Sequence, residues 1–349
     1  MTQRPLRCAF AAVALVLTLS APASGQDSPF MLNLGGRPVI RPDGTYFFNH
    51  APRSDLVFEG QIAPRIIIFD SIANAAGRVL SGGAHWGWQL STTPMVRLRM
   101  FDETSSPVRT PSYMPKGTVQ FVRMRNLSRA DEDDEAELYK GPVEMWLIDS
   151  IPFGHHSNGQ NGCLFTQQSR NSEGECVNVA GASPLTVNKT DGSFSTNYIE
   201  LGIFYGRMHL ASRADAPEYA TAWEWRTGGG VELNPSGFLG GGIDDELKDL
   251  YGQTRFFVET TAARRDFLRC GRAELDLRLQ YIQNTPAGLP AVKAMAEASC
   301  LPRRWGGTGL FVGFYRGQDY YNLGFSESIT RLQFGFTLQR ATFLSFRIP

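Results

Sequence analysis

The segment Gly154-His155-His156-Ser157-Asn158-Gly159 sets an imidazole and a hydroxyl two residues apart at the end of a run that reads as a β-strand. Side chains on a strand alternate faces, so His155 and Ser157 project to the same side. A base beside a hydroxyl is the pairing that turns a serine into a nucleophile. The base also needs its second ring nitrogen held by an acceptor. The next long strand, 197–205, opens with Asn197, whose side-chain carbonyl supplies that acceptor if the strands are neighbours. An uncharged amide stabilises the imidazolium less than a carboxylate does. Strict alternation puts His155 on the face of Val143, Met145, Leu147, Ile151 and Phe153, with Asp149 the polar exception, and Asn197 on the face of Ile199, Leu201, Ile203 and Tyr205. The chemistry is thus expected on a greasy face. That suits the outer wall of a membrane barrel and a substrate that is itself a lipid. His156 points the other way and reads as structural. A zinc site from His155 and His156 does not fit, because adjacent strand residues diverge.

The elements that carry these residues begin after an exported leader. Arg4 and Arg7 precede an apolar stretch, Ala9 to Leu19, with Ala21-Pro22-Ala23 as a small-residue cleavage site. The expected organisation is a signal peptide over 1–25 with cleavage near 23–25, an N-terminal periplasmic segment over 26–43, and a barrel over 44–349 with the catalytic residues on its outer rim. Cys8 precedes the apolar stretch, which argues against a lipoprotein anchor. Lys plus Arg and Asp plus Glu both number 34, so no charge excess points to a nucleic-acid partner. Cys163, Cys176, Cys270 and Cys300 follow the leader, an even count that suggests two disulfides in an exported chain, with three connectivities open.

No later segment is apolar enough for a membrane helix, which leaves β-barrels open, since these hide apolar residues in alternation. In 330–339 every even position from Leu332 to Leu338 is apolar, and Arg331, Gln333, Gly335, Thr337 and Gln339 alternate with them. Ala273, Leu275, Leu277, Leu279 and Tyr281 alternate with Glu274, Asp276, Arg278 and Gln280 in the same way. One apolar face and one charged face on long strands fit lipid outside and polar residues inside. Further strands are expected around 44–50, 55–66, 77–89, 117–125, 143–155, 197–208, 218–229, 253–263, 288–298 and 307–316, which makes roughly twelve with 273–282 and 329–339. Residues 291–298 read equally as a short helix. Counted from the periplasm, the connections at 90–116 and 156–196 face outward. That topology favours Cys163–Cys176 in one outer loop and Cys270–Cys300 across two periplasmic turns. The acidic run Asp131-Glu132-Asp133-Asp134-Glu135 falls in a periplasmic turn and reads as a solvated face. Trp86, Trp88 and Trp146 read as girdle or packing residues.

His155-x-Ser157-Asn158-Gly159 followed by a strand opening at Asn197 resembles the outer-membrane phospholipase A family. Trp88-Gln89-Leu90-Ser91, then Ser105-Ser106-Pro107-x-Arg109 and Tyr113, is similar to its first outer loop. Asp244-Asp245 with Leu250-Tyr251-Gly252 resembles another loop, and 318–322 with Phe325, Thr330 and Arg331 its closing strands. The resemblance covers the chain from about Gly44 onward, in order. It implies a transmembrane antiparallel barrel that hydrolyses phospholipid acyl esters, as a phospholipase A1 and also A2. Ser157 matches the nucleophile, His155 the base and Asn197 its orienter. It further implies a calcium ion that stabilises the oxyanion, held by Ser193, the backbone carbonyl of Gln160, and Ser105 of a partner subunit. The active form is then a homodimer in the outer membrane of a Gram-negative bacterium, facing the outer leaflet. Neutral oxygens suit calcium. The chain departs from the family between Gly159 and Ser193, where it carries an insertion, and at Ala84, where the family buries an interface glutamine. It also ends Phe346-Arg347-Ile348-Pro349 rather than on an aromatic residue. Two other readings stand beside this one: a lipid A deacylase-type esterase, and a non-catalytic porin-like barrel. Barrel length and Asn197 argue against the first.

Overall fold

The computed structural model describes residues 44–50, 56–79, 83–102, 104, 108–127, 142–180, 186–212, 218–240, 242–243, 247–305, 308–338 and 346–347. The expected leader, the 26–43 segment, Ser105, the acidic run at 131–135 and Asp244-Asp245 lie outside these.

Twelve strands close into an all-antiparallel barrel. They are β1 Tyr46–His50; β2, built from Leu56–Ile62 and Ile66–Asp70; β3, from Ala84–Thr93 and Val96–Phe101; β4, from Ser112–Tyr113 and Lys116–Asn126; and β5 Pro142–Ser157. Then come β6 Ser195–Ser212, β7 Glu218–Leu233, β8 Thr254–Phe267, β9 Cys270–Ile282, β10 Val292–Leu301, β11 Thr308–Gln318 and β12 Ser328–Leu338. Each pairs with its successor, and β12 returns to β1 with Tyr46 opposite Thr337. Closure leaves no edge of unpaired backbone groups, which an apolar surround requires.

The alternation is the expected one. Leu275, Leu277, Leu279, Leu332, Phe334 and Phe336 are exposed on the outer wall, as are Trp86, Trp146, Leu201 and Ile203. Phe69 stacks on Trp88 there at 4.0 Å. The inner wall of β6 to β9 carries ion pairs: Arg255 with Glu232 at 2.8 Å, Arg226 with Glu259 at 3.4 Å, and Arg278 with Glu200 at 3.5 Å. These line a cavity of about 420 Å³. Among the described residues no helix is long and apolar enough to cross a membrane.

Three expectations are corrected. Residues 77–89 are not one strand, because Ile72–Val79 form a helix, α1. Its apolar residues Ile72, Ala75, Ala76 and Val79 recur at helical spacing and are all buried. The Asp70 carboxylate accepts from the Ile72 amide at 2.9 Å and starts the helix. α1 tucks into the barrel against Val122, Met124, Val143, Met145 and Met208. A Cβ on Gly87 would sit 2.7 Å from the Ile72 Cα, so that close approach needs glycine. Second, 90–116 is not one long loop: β3 runs on to Phe101 and β4 begins at Ser112. Third, Cys270 and Cys300 lie at strand ends rather than in turns. Both expected bridges form: Cys163–Cys176 and Cys270–Cys300. The 288–298 segment is strand, from Val292.

The breaks inside β2, β3 and β4 each hold a proline: Pro64, Pro94 and Pro115. Proline has no amide to give a ladder and is confined to interruptions of this kind. Pro152 lies inside β5 and continues the row across a fourth strand.

Candidate active site

Pro152 decides where the histidine and serine point. On one side β6 pairs Glu200 with Ile151 and then Tyr198 with Gly154; on the other β4 pairs Val119 with Ser150 and then Gly117 with Phe153. Both neighbours advance two residues while β5 advances three. This is a β-bulge, and it flips the parity of everything beyond it. Before it, Val143, Met145, Leu147, Asp149 and Ile151 are buried inside the barrel, while Trp146 and Ile148 are exposed outside. The expectation that His155 shares a face with Val143, Met145, Leu147 and Ile151 is therefore wrong. The bulge carries Phe153, His155 and Ser157 onto the outer wall with Trp146 and Ile148. On β6, which has no bulge here, Asn197 lies on the face of the exposed Leu201 and Ile203, as expected.

His155 and Asn197 are directly paired across β5 and β6. The His155 Nδ1 and Asn197 Oδ1 are 2.7 Å apart. The Asn197 amide nitrogen donates to the Phe238 carbonyl at 2.8 Å, which fixes the side chain with its oxygen toward the ring. Nδ1 then carries the proton and Nε2 is left as the base. The His155 backbone amide donates to the Pro115 carbonyl at 2.9 Å. Ser157 is half-buried, with Ser195 opposite it on β6 and Tyr113 opposite it on β4. Among the described residues no hydrogen bond joins Ser157 to His155. The two share the outer face at strand spacing, and such contacts tighten only in a substrate complex.

Beyond Ser157 the chain enters the connection to β6. Asn158 is buried and clamps the two arms of that connection. Its Oδ1 accepts from the Phe194 amide at 3.0 Å and the Gln160 amide at 3.3 Å, and its Nδ2 donates to the Gly192 carbonyl at 2.7 Å. The Ser193 amide donates to the Gly162 carbonyl at 2.9 Å. The structure thus brings the Gln160 and Ser193 arms together in one neck next to Ser157. Among the described residues the Gln160 carbonyl accepts no backbone hydrogen bond, and its side chain donates to Thr110 Oγ1. A backbone carbonyl on one arm of this neck and a serine hydroxyl on the other are oxygen donors of the kind a hard cation takes. Among the described residues no cluster of three His, Cys, Asp or Glu side chains offers an alternative metal site.

His156 faces inward and is buried. Its Nδ1 lies 3.2 Å from the Tyr251 hydroxyl and its Nε2 3.4 Å from Ser112 Oγ. Ser112 Oγ donates to Asn322 Oδ1 at 2.5 Å, and Asn322 Nδ2 donates to the Thr110 carbonyl. Burial raises the Tyr251 phenol above its usual range, and the Arg255 guanidinium, 3.9 Å over its ring, opposes this only in part. Tyr251 therefore stays protonated beside His156. Above this layer Leu164, Phe165, Val187, Phe194, Leu323 and Phe325 form an apolar cap. Sequence reasoning missed the roles of Asn158, Ser112, Tyr251 and Asn322. Only Asn158 carries a local signal, the Asx turn that its type and position favour.

No family model matches the chain, and no curated protein matches it in sequence. Solved structures do. The chain is similar to outer membrane phospholipase A. The enzyme from Escherichia coli is 12% identical, over 85% of this chain and 93% of that one, with a TM-score of 0.43. The Salmonella typhi outer membrane phospholipase dimer with bound calcium is 14% identical, over 88% and 96%, with a TM-score of 0.44. The β domain of the Bordetella autotransporter BrkA is 10% identical, over 85% and 96%, with a TM-score of 0.30. These are likenesses of barrel to barrel. The fold described above rests on its strand ladder, and the site rests on its own side chains.

Proposed function

We propose that this barrel is an outer-membrane esterase that cleaves acyl esters of phospholipids. The observation that carries the reading is the His155–Asn197 pair, 2.7 Å apart on the lipid-facing side of the wall, with Ser157 on the same face. A dyad aimed into solvent would suit a soluble ester; one aimed into the bilayer meets acyl chains.

In this mechanism Ser157 Oγ attacks the ester carbonyl while His155 Nε2 takes its proton. Asn197 holds the Nδ1 proton and keeps the ring in register. The imidazolium then protonates the departing lysophospholipid oxygen, leaving an acyl-serine. Water attacks that ester with His155 again as base, releasing the fatty acid. The tetrahedral oxyanion needs a positive partner. The Gln160 carbonyl and Ser193 hydroxyl, with Ser105 of a partner subunit, would hold a calcium ion that supplies it. Activity is then linked to dimerisation along the lipid-facing walls, and the site looks onto the outer leaflet. Ala84 is exposed on that wall and offers no side-chain hydrogen bond, so the dimer is expected to be weak.

Esterase turnover on micellar phospholipid, with and without calcium, tests the reading. Calcium-dependent release of fatty acid, lost in Ser157→Ala, supports it. Turnover on lipopolysaccharide alone would instead make the chain a lipid A deacylase, and open conductance without hydrolysis would make it a porin. Calcium and dimer must favour each other by the same factor. Ultracentrifugation across a calcium titration reads that reciprocity, and activity that saturates in a strict monomer rules out the shared site.

A further inference from the structure

The end of the barrel opposite Ser157 carries an excess of unpaired arginine at the rim of the apolar wall. The end of β8 supplies Arg264, and the β8–β9 turn Leu268 and Arg269; the β10–β11 connection supplies Arg303, Arg304 and Trp305, all exposed. The two turns are fastened into one cup. The Cys270–Cys300 bridge joins their strands, Arg303 pairs with Asp266, and the Arg303 backbone packs so closely on Gly271 that a Cβ there would meet its amide nitrogen at 2.8 Å. The cup is an open depression of about 510 Å³, lined by Asp266, Leu268, Arg269, Arg303, Arg304 and Trp305.

Arg303 is matched by Asp266. Among the described residues Arg269 and Arg304 have neither an ion pair nor a hydrogen bond. Arg264 faces outward at the end of β8, 5.7 Å over the Phe267 ring and in register with Trp223. Trp223, Phe267 and Trp305 are all more than a third exposed, and Leu268 is 85% exposed. Asp266 and Leu268 both hold positive φ, 54° and 56°, conformations that cost energy in residues other than glycine. Here they throw Leu268 clear of the barrel. Aromatic rings and a projecting leucine mark the level where acyl chains give way to headgroups.

We propose that this cup binds the headgroup of an anionic phospholipid in the adjacent leaflet. Arg269 and Arg304 would take the phosphate through their planar forks, and Leu268 and Trp305 would lie along the first carbons of its chains. The apolar pair is what commits the site to a lipid rather than to a free anion. The inference stands apart from the chemistry at Ser157, which lies at the other end of the wall.

The test is native mass spectrometry of the full chain in detergent with ether-linked phosphatidylglycerol, ether-linked phosphatidylcholine or inorganic phosphate. Ether lipids have no acyl ester, so hydrolysis cannot interfere. Each exposed basic residue at an anionic surface is worth roughly fivefold in binding, so Arg269→Gln with Arg304→Gln should weaken phosphatidylglycerol roughly 25-fold. Arg269→Lys with Arg304→Lys keeps the charge without the fork and should fall between the parent and the double glutamine variant, and heat-modifiable gel migration confirms that both barrels are folded. Equal retention of the two lipids, or a preference that survives the double glutamine variant, overturns the proposal. Displacement of phosphatidylglycerol by millimolar phosphate also overturns it, since the cup would then be an anion pocket with no use for a lipid tail.

Discussion

His155 and His156 are neighbours in the chain and belong to opposite sides of the barrel wall. His155 meets Asn197 on the outside, and His156 meets Tyr251 and Ser112 on the inside. The proposed catalytic rim is thus held from behind by the same strand tip that presents it. The inner contacts continue through Asn322 and Thr110 to the Gln160 side chain, so the strand tip that carries His155 and the candidate cation neck share one scaffold.

Removing the hydroxyl of Ser157 should abolish hydrolysis, by about 10⁴-fold or more, as loss of a nucleophile does elsewhere. Ser157 is half-buried at a strand end, so the barrel should keep its heat-modifiable migration. Base catalysis as a whole contributes about 10²–10⁴-fold. Asn197→Ala only frees the ring to turn, so its cost should be smaller, about 10- to 100-fold. A folded Ser157→Ala protein that still turns over would sink the assignment.

Neither replacing nor deleting Pro152 should move His155 or Ser157 to the other face. Pro152→Ala leaves the extra residue in β5 and should leave activity within a fewfold of the parent. Deletion takes out the one extra residue, so Gly154 stays opposite Tyr198, His155 stays opposite Asn197, and plain alternation from the inward Ile151 keeps His155 and Ser157 on the outer wall. The deleted chain should fold and keep its activity. Labelling of a cysteine placed at position 157 by a membrane-embedded reagent would read the side directly: reactive in the parent background and in the deletion alike, whereas protection in the deletion would show that the extra residue is not taken up at Pro152.

The outer face of the barrel was legible in the sequence because strand alternation is local: Leu275 to Tyr281 and Leu332 to Leu338 report their own orientation. The His155–Asn197 pair was legible for a similar reason, since both residues end long strands that are consecutive. The side of the wall was reached by a wrong route. Alternation was extended through Pro152 and put His155 with Val143, which faces inside. The proline in a central strand was the available sign of a bulge. Ile72, Ala75, Ala76 and Val79 carry the helical spacing of α1, but the expected strand over 77–89 overlaps its last turn and leaves the rest in a connection. The Ser112–Asn322 and Arg99–Asp319 contacts span 210 and 220 residues and have no local signature.

Gly154 should tolerate no side chain. It faces inward beneath the bulge, and a Cβ there would lie 2.2 Å from the Tyr198 ring. Gly154→Ala forces that ring off the strand next to His155 and Asn197. The expected cost is about 1–3 kcal/mol of stability, the range for overpacking, together with a drop in turnover. Adding Tyr198→Ala should recover much of the stability. Urea unfolding of the single and double variants measures it, and a double variant no better than the single would place the strain elsewhere.

Acid should loosen the same end of the barrel through Asp319. Burial by itself would raise this carboxyl. Arg99, whose Nη1 is 2.6 Å away, outweighs that, helped by Arg331 and by the Tyr321 amide at 3.1 Å, and Asp319 sits below the usual carboxylate range. A carboxyl whose pKa is lower folded than unfolded adds stability above its unfolded value, about 3.9, and loses it as pH falls through the folded value. Stability to urea should therefore decline below about pH 4. Asp319→Asn should flatten that decline. It should also lower stability at pH 7 by about 3–5 kcal/mol, the usual result of removing one partner from a buried pair, since among the described residues Glu59, at 2.5 Å, is then the one carboxylate that Arg99 keeps. A parent protein that holds its full pH 7 stability down to pH 3 would show that Asp319 is not held as an anion by Arg99.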